Sequence, residues 1–397
     1  EHRRLGAKMV PFAGWEMPVW YSSVVEEHLA TRQAAGLFDV SHMGVFQIEG
    51  PQAEAFLDSV VANDVAALGV AESHYTQFLD ARGRVIDDAM VYRRDDEVYL
   101  VVVNAANDDK DWAWLEAVRA GTVQVDRRRP WARAFGRGCR LRNLRAPGAE
   151  MDQRVDLALQ GPKSREILLA LGCSPDVAAR LKGLRWAGVM QGEFGGFDLV
   201  VSRTGYTGER VAYELFVHPD RAVELWQGLL RAGGPHGLRP AGLAARDSLR
   251  TEAGLPLYGH EMAGPHELGV GDAGFASYVK AHKPWFVGRG AFLEQEANRA
   301  REVVRFRFDE KGVRMAHGGD PVVDGRGRVI GFVTSCAVDR EGYLLGQACL
   351  DRASTGEGTA IGVFPGAASL PAKAAAEARP GDRLAVPTPA HVLSRFP

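Results

Sequence analysis

Apolar residues recur along the chain with two different periods, and the alternation between them predicts a mixed α+β protein. Helical spacing, with a polar residue or proline at the start or glycine near the end, predicts helices at residues 23–36, 162–172, 221–231 and 240–253. Runs rich in β-branched and aromatic residues lie between them. These runs predict strands at residues 44–48, 98–103, 155–159, 197–201 and 213–217.

The pattern changes near residue 300, and this change predicts a domain boundary. Beyond it helical periodicity nearly vanishes, and short strand-like runs alternate with glycine turns such as residues 324–327. The length of 397 residues favours two or three domains. We therefore predict an α+β region at residues 1–300 and an all-β domain at residues 301–397. Within the latter, the Ala-, Gly- and Pro-rich residues 352–380 are expected to be an irregular excursion.

The charge balance excludes a protein held on nucleic acid by bulk charge. Lys and Arg number 48 against 50 Asp and Glu, which leaves a formal net charge of -2. No run approaches 18 apolar residues, and the first residues lack the apolar core of a signal peptide, so we expect a soluble, cytoplasmic protein without membrane contact. The four cysteines and the histidines lack zinc or disulfide spacing, and no metal is predicted.

One segment, residues 127–145, concentrates positive charge. It holds eight arginines interleaved with Trp131 and Phe135, a pattern that fits either a nucleic-acid patch or a solvated loop. The near-neutral chain favours the loop, as does the general preference for Arg, since only eight of the 48 basic residues are Lys. We expect this segment to be dispensable for folding and to be cut first by proteases.

The first candidate for chemistry is a hairpin at residues 78–92 with its turn at residues 80–83. Side chains alternate along its second strand, so Asp87 and Asp88 point to opposite, otherwise apolar faces. A carboxylate in such a place loses hydration and either finds a donor or has a raised pKa, as proton-transfer groups do. The alternative is a pair of acids that bond nearby backbone amides. The alternation makes Asp87 the expected control for Asp88.

The second candidate is a pair of oppositely charged residues, one in an apolar strand and one on the apolar face of a helix. Glu214 lies in a strand that is otherwise free of charge, and Arg246 lies on the apolar stripe of a helix. Together they are able to fix a polar heterocycle, because the acid accepts two N–H groups of an aminopyrimidine-like edge while the guanidinium binds a carbonyl or carboxylate. The alternative for Arg246 is a stem that runs along the apolar face with its head in solvent.

Beyond these candidates, a series of motifs in register resembles the glycine cleavage system T-protein, or aminomethyltransferase, family over the chain to about residue 350. The motifs lie at residues 12–18 (FAGWEMP), 37–43 (LFDVSHM), 62–65 (ANDV), 83–88 (GRVIDD), 103–105 (VNA) with 110–111 (KD), 159–162 (LQGP), 205–209 (GYTGE) and 242–259.

The resemblance implies a multi-domain α+β cloverleaf of two interleaved α+β folate-binding domains and a C-terminal β-barrel. It implies an enzyme that uses tetrahydrofolate and no metal. Such enzymes take the aminomethyl group carried on the lipoyl arm of the H-protein, release ammonia and form 5,10-methylenetetrahydrofolate. The lipoylated H-protein is the implied partner.

The resemblance also assigns roles to single residues. The catalytic Asp of the family falls on Asp88, the pterin-holding Glu on Glu214 and the substrate-contacting Arg on Arg246. The positions that line the folate pocket fall on Met43, Tyr75, Asn104 and Tyr206. The spacing from Tyr206 to Glu214 is one residue longer than the family pattern, so Glu209 is the alternative pterin contact. Residues 127–153 are an insertion, and residues 264–272 replace a familiar run.

Two other classes of function remain open. Some members of the superfamily move a methyl group from a small amine, sulfonium or aryl ether onto tetrahydrofolate, and the presence of Asp88 favours aminomethyl transfer over this demethylase alternative. Non-catalytic, folate-binding relatives that assist iron-sulfur assembly carry a K-G-C-Y-x-G-Q-E run. Residues 254–261 (GLPLYGHE) contain neither the Lys nor the Cys of that run. The identity of the one-carbon donor distinguishes these three possible functions.

Overall fold

A computed structural model of the chain describes residues 1–134, 136, 138–366 and 387–397. The helices of the described residues are α1 (Val24–Gln33), α2 (Ala53–Val60), α3 (Asp108–Ala120), α4 (Ser164–Ala170), α5 (Pro175–Gly183), α6 (Pro219–Gly233), α7 (Leu243–Glu252) and α8 (Arg289–Ala297). The strands are β1 (Lys8–Phe12), β2 (Trp15–Trp20), β3 (Ala35–Asp39), β4 (Gly44–Glu49), β5 (Glu72–Leu79), β6 (Val85–Asp95), β7 (Val98–Val103), β8 (Arg140–Asn143), β9 (Val155–Gln160), β10 (Val189–Phe194), β11 (Phe197–Ser202), β12 (Ala212–Val217), β13 (Leu238–Ala241), β14 (Arg301–Phe308), β15 (Pro321–Val323), β16 (Val329–Val338), β17 (Leu344–Asp351), β18 (Ala360–Val363) and β19 (Thr388–Leu393).

Two sheets organise the part of the chain before residue 247. A six-stranded sheet has the order β10-β11-β12-β9-β3-β13, and a five-stranded sheet has the order β5-β6-β7-β4-β8. The chain contributes β3 to the six-stranded sheet, builds the whole five-stranded sheet with β4 to β8, and then returns to the six-stranded sheet with β9. The two α+β layers are therefore interleaved in sequence, as predicted.

The two sheets share one apolar cluster, which fixes their relative position. Tyr92 of β6 and Val102 of β7 pack in the same cluster as Val200 of β11 and Phe216 of β12, and all four are buried. Full burial of each side chain of this size contributes about 1.5 to 3 kcal/mol. Residues of β6 and β12 that point into the space beside this cluster are thus held close together.

The C-terminal strands form a closed barrel of their own with the order β14-β17-β16-β15-β18-β19. Its interior is filled by side chains such as Phe306, Phe308 and Val333, which are fully buried. The fold class is therefore α+β with a C-terminal β-barrel, as expected from the loss of helical periodicity. Residues 1–246 with 277–294 form one compact unit, and residues 247–276 with 295–397 form the other. The predicted domain boundary near residue 300 stays a prediction.

The four predicted helices are present as α1, α4, α6 and α7, whereas α2, α3, α5 and α8 were not predicted. Two of the predicted helices differ from expectation at their starts. The Oγ of Ser23 accepts the N–H of Glu26 at 3.2 Å, as an N-cap does, but Glu27 rather than Glu26 reaches back to the N–H groups of Tyr21 and Ser22. The helix predicted from residue 240 begins at Leu243, because residues 238–241 pair with β3 as an edge strand. Proline is tolerated at such an edge.

The prediction of a solvated loop at residues 127–145 is wrong for its last part. Arg140–Asn143 form β8, which pairs with β4 at the edge of the five-stranded sheet. Leu141 packs against the apolar core of that sheet, and burial of its side chain stabilises the strand. Phe135 and Arg137 of this segment lie outside the described residues, and so do residues 367–380 of the predicted excursion. Within the described residues, no helix combines the length and apolar character that crossing a bilayer requires.

Trypsin is expected to cut after Arg127 or Arg128 before it cuts after Arg140 or Arg142. The first two arginines are exposed and belong to no helix or strand, whereas the second two lie in β8, whose backbone is bonded to β4. A time course of fragments by mass spectrometry measures the order. Cleavage at Arg140 or Arg142 in the earliest fragments would contradict it.

Candidate active site

The seven residues predicted for the site share one property: each is half-buried. Partial burial suits a side chain that contacts a ligand, because the protein holds the side chain in place while part of its surface stays accessible. The structure places Met43 just before β4, Tyr75 on β5, Asp88 on β6, Asn104 just after β7, Tyr206 in the loop between β11 and β12, Glu214 on β12 and Arg246 on α7.

Asp88 is held from two sides by neighbouring strands of the five-stranded sheet. The hydroxyl of Tyr75 donates to its Oδ2 at 2.8 Å, and the side-chain amide of Asn104 donates to its Oδ1 at 2.8 Å. Burial, followed by the negative charge of Asp87, raises the pKa of Asp88 to about 7, although the two hydrogen bonds act in the opposite direction. A carboxyl group with this pKa is able to accept or release a proton at neutral pH.

Asp87 points to the opposite face, as the alternation predicts, but it is not independent of Asp88. It is fully buried. Its Oδ1 accepts the side-chain amides of Asn104 at 2.9 Å and of Asn107 at 2.6 Å, and its Oδ2 accepts the backbone N–H of Asn104 at 3.1 Å. The single amide of Asn104 thus bridges the two acids, so Asp87 is unsuitable as the expected control.

Glu214 lies in a polar niche on the six-stranded sheet. The hydroxyl of Tyr92 donates to its Oε2 at 2.9 Å, and the hydroxyl of Thr204 donates to the same oxygen. The alternative acid, Glu209, forms an ion pair with Arg32 at 2.7 Å. Among the described residues, Glu209 is paired with a cation, whereas the hydrogen bonds to Glu214 come from two hydroxyl groups, so the geometry favours Glu214 as the acid that faces a ligand.

Arg246 completes this niche and is incompletely satisfied. Its guanidinium lies 4.9 Å from the centre of the Tyr206 ring. Burial lowers its pKa, and the negative charge of Glu214 opposes this change. Within the described part of the chain, its Nη1 is buried and has no hydrogen-bond partner. A buried guanidinium nitrogen of this kind costs free energy until an acceptor such as a carbonyl or carboxylate oxygen reaches it.

Aromatic side chains and methionines connect the surroundings of Asp88 with the niche that contains Glu214 and Arg246. The pKa of the Tyr75 hydroxyl is raised by burial, by the adjacent Asp88 and by Tyr206, which lies near it. Met43 packs in the same apolar cluster as Met90 and Tyr92, which share the strand face of Asp88. The structure therefore brings all seven predicted residues into one connected site.

Sequence reasoning missed several members of the site. Asp156 on β9 is buried, accepts the N–H of Leu215 at 3.2 Å, and has a pKa raised well above its usual range by burial and then by Glu214. An acid in an apolar strand was the signal that singled out Glu214, and it applies equally to Asp156. His42 is also buried, and burial and then the charge of Arg246 lower its pKa to about 4, so it is neutral there.

The nearest chemical alternative to an organic ligand is a metal ion. Among the described residues, no group of three or more His, Cys, Asp or Glu side chains is arranged to hold one. The site is instead a set of hydrogen-bonding groups with one unsatisfied guanidinium and a carboxyl group that titrates near neutrality.

Known proteins are similar to this chain in fold and in sequence. The family model of the GCVT N-terminal domain matches residues 1–283. An aminomethyltransferase of Symbiobacterium thermophilum is 42% identical over 340 residues, 84% of this chain and 83% of that protein. One from Streptomyces avermitilis is 41% identical over 367 residues, 91% of each chain. The crystal structure of the glycine cleavage system aminomethyltransferase T from Bartonella henselae superposes with a TM-score of 0.79 at 30% identity, covering 99% of this chain and 94% of that one.

These similarities extend over most of both chains in each comparison. The protein is a transferase of the aminomethyltransferase class. The chain belongs to the GCVT family, which confirms the resemblance found in the motifs.

Proposed function

We propose that this protein is the tetrahydrofolate-dependent aminomethyltransferase of a glycine cleavage system. It takes the aminomethyl group from the lipoyl arm of the H-protein and joins its carbon to two nitrogens of tetrahydrofolate. The C–N and C–S bonds of the donor break, and the two folate N–H protons leave with ammonia and with the freed lipoyl thiol. The observation that carries the proposal is the Asp88 carboxyl group, which accepts hydrogen bonds from Tyr75 and Asn104 and which Tyr75 and Tyr206 connect to Arg246 and Glu214.

The residues present fit tetrahydrofolate. The aminopyrimidine edge of a pterin offers N–H donors beside a carbonyl oxygen, which matches an acid with hydroxyl partners next to a guanidinium with an unsatisfied nitrogen. Glu214 would accept the N–H groups, and Arg246 would donate to the carbonyl. When bound, tetrahydrofolate supplies the two nitrogens that receive the one-carbon unit.

Asp88 manages the proton of this reaction. Its carboxylate form would accept a proton as a folate N–H is lost and would pass it to the departing amine or thiol, while the hydrogen bonds from Tyr75 and Asn104 hold the carboxylate in one orientation. Positioned acid-base groups contribute roughly 10² to 10⁴ in rate. Met43 and Tyr206 supply apolar and aromatic surface against which the planar ligand packs.

The pH dependence of kcat/KM follows from the pKa of Asp88. Because the pKa of this group is raised to about 7, it is protonated below that pH and unable to accept a proton. We expect kcat/KM to rise about tenfold per pH unit up to about pH 7 and then to level off. The ascending limb should disappear in Asp88→Asn. An unchanged limb in that variant would assign the titration to another group.

The identity of the donor is tested by product analysis. The protein is incubated with tetrahydrofolate and either aminomethyl-loaded H-protein or small methylated amines, sulfonium compounds and aryl ethers. 5,10-Methylenetetrahydrofolate with one equivalent of ammonia, formed only from lipoylated H-protein, supports the proposal. 5-Methyltetrahydrofolate from a small donor would replace it with the demethylase alternative. Tight folate binding with no product from any donor would favour a non-catalytic relative.

A further inference from the structure

Behind Asp88, on the other face of β6, lies a pair of carboxyl groups that the proposed chemistry does not use. Asp87 of β6 and Asp111 of α3 are both 0% exposed. Two neighbouring acids that are both buried are costly unless a proton or a cation offsets their repulsion. Within the described residues, these acids are not part of a group that could hold a metal ion.

Hydrogen-bond donors identify the ionised member of this pair. Asp87 accepts the side-chain amides of Asn104 and Asn107 on Oδ1 and the backbone N–H of Asn104 on Oδ2. A hydrogen bond to an ionised group is stronger than one to a neutral group, so a shared negative charge is best stabilised on the acid that receives the most donors. Since three N–H groups donate to Asp87 and none of the described residues donates to Asp111, the negative charge belongs on Asp87.

Asp111 must then carry the proton. Within the described part of the chain, both of its side-chain oxygens are buried and receive no N–H or O–H donor. Asp111 lies one helical turn after Asn107, which donates to Asp87, so the carboxyl groups of Asp87 and Asp111 are neighbours. Two carboxyl groups form a hydrogen bond only when one of them is protonated. Burial, followed by the negative charge of Asp87, raises the pKa of Asp111 to about 10, and the nearby Lys110 ammonium, which acts in the opposite direction, does not offset these effects.

We propose that Asp111 is a positioning residue of the active site, which donates its proton to Asp87 and thereby fixes Asn104 against Asp88. The inference rests on the proposed role of Asp88. Asn104 has one side-chain amide, and this group donates both to Asp87 at 2.9 Å and to Asp88 at 2.8 Å. If Asp87 lost its fourth partner and rotated, the amide would turn with it and release the Asp88 carboxylate.

Kinetics of two substitutions distinguish positioning from a merely structural role. Asp111→Leu removes the donor, and kcat per folded molecule should fall roughly tenfold or more with KM for tetrahydrofolate unchanged. Asp111→Asn retains an N–H that can donate to Asp87, so kcat should stay within about threefold of the wild type. The matched control is the exposed neighbour in α3, Asp109, whose Leu and Asn variants should both behave like the wild type.

Infrared spectroscopy detects the protonated carboxyl group of Asp111 without a measurement of enzyme activity. At pH 8 the wild-type protein should show the carbonyl band of a protonated, buried carboxyl group that Asp111→Asn lacks, and the difference spectrum separates this band from that of Asp156. If Asp111→Leu does not fold, the infrared result and the Asn variant decide the question.

Several results would overturn the inference. They are the absence of the band from the difference spectrum, wild-type kcat in Asp111→Leu, and an equal loss of kcat in the Leu and Asn variants. A wild-type protein that forms no folate product would instead refute the proposed function, and the infrared measurement would still report the proton on Asp111.

Discussion

Asp88→Asn is expected to lower kcat by at least about a hundredfold while the Kd for tetrahydrofolate stays nearly unchanged. Asparagine keeps the shape of the side chain, its oxygen can accept from Asn104, and its N–H can donate to the hydroxyl oxygen of Tyr75. It loses the negative charge and the ability to take a proton, so the loss should be confined to the chemical step. Turnover with saturating H-protein measures kcat, and calorimetry measures the Kd.

The matched control is Asp95→Asn, at the exposed end of the same strand. Asp95 accepts the N–H of Asp96 at 2.8 Å, which an asparagine oxygen can also do, so activity and stability should remain those of the wild type. Asp87→Asn is a poor control, because its amide would place N–H groups against Asn104 and Asn107 and should lower stability. A hundredfold loss in Asp95→Asn, or near-normal kcat in Asp88→Asn, would contradict the assignment of Asp88.

The hairpin shows how far local pattern carries a prediction. The alternation in β6 correctly separated Asp87 from Asp88, because the period of a strand is two regardless of what packs on it. It could not reveal that Asn104, at the end of the neighbouring β7, bridges both acids. That contact depends on the register of β6 against β7, and register is decided by sheet packing rather than by either strand alone.

The two candidate glutamates show the same limit at longer range. The sequence motif left Glu209 and Glu214 as alternatives because the loop between β11 and β12 has one more residue than expected. The structure separates them through Arg32 in α1, which pairs with Glu209 and also donates to the carbonyl of Thr207 at 2.7 Å. A partner 177 positions away in sequence is invisible to any local pattern. In contrast, Asp156 had a usable local signal, an acid within an apolar strand.

Because Glu209 pairs with Arg32 and Glu214 lies beside Arg246, substitutions of the two glutamates should affect ligand binding differently. Glu214→Ala and Arg246→Ala are each expected to weaken tetrahydrofolate binding roughly ten- to a hundredfold, since a hydrogen bond to a charged group contributes about 1.5 to 3 kcal/mol. Glu209→Ala is the matched control. It should leave the Kd unchanged, because Glu209 forms an ion pair with Arg32.

Calorimetric titration of the three variants with tetrahydrofolate, at equal folded fraction, measures these differences. Glu214→Ala removes the acceptor for the N–H groups of the pterin and leaves the hydroxyls of Tyr92 and Thr204 without their shared partner. Arg246→Ala removes the buried guanidinium nitrogen that lacks an acceptor in the described residues. Wild-type affinity in both variants would remove the niche from the folate site, and a loss confined to Glu209→Ala would transfer the pterin contact to that residue.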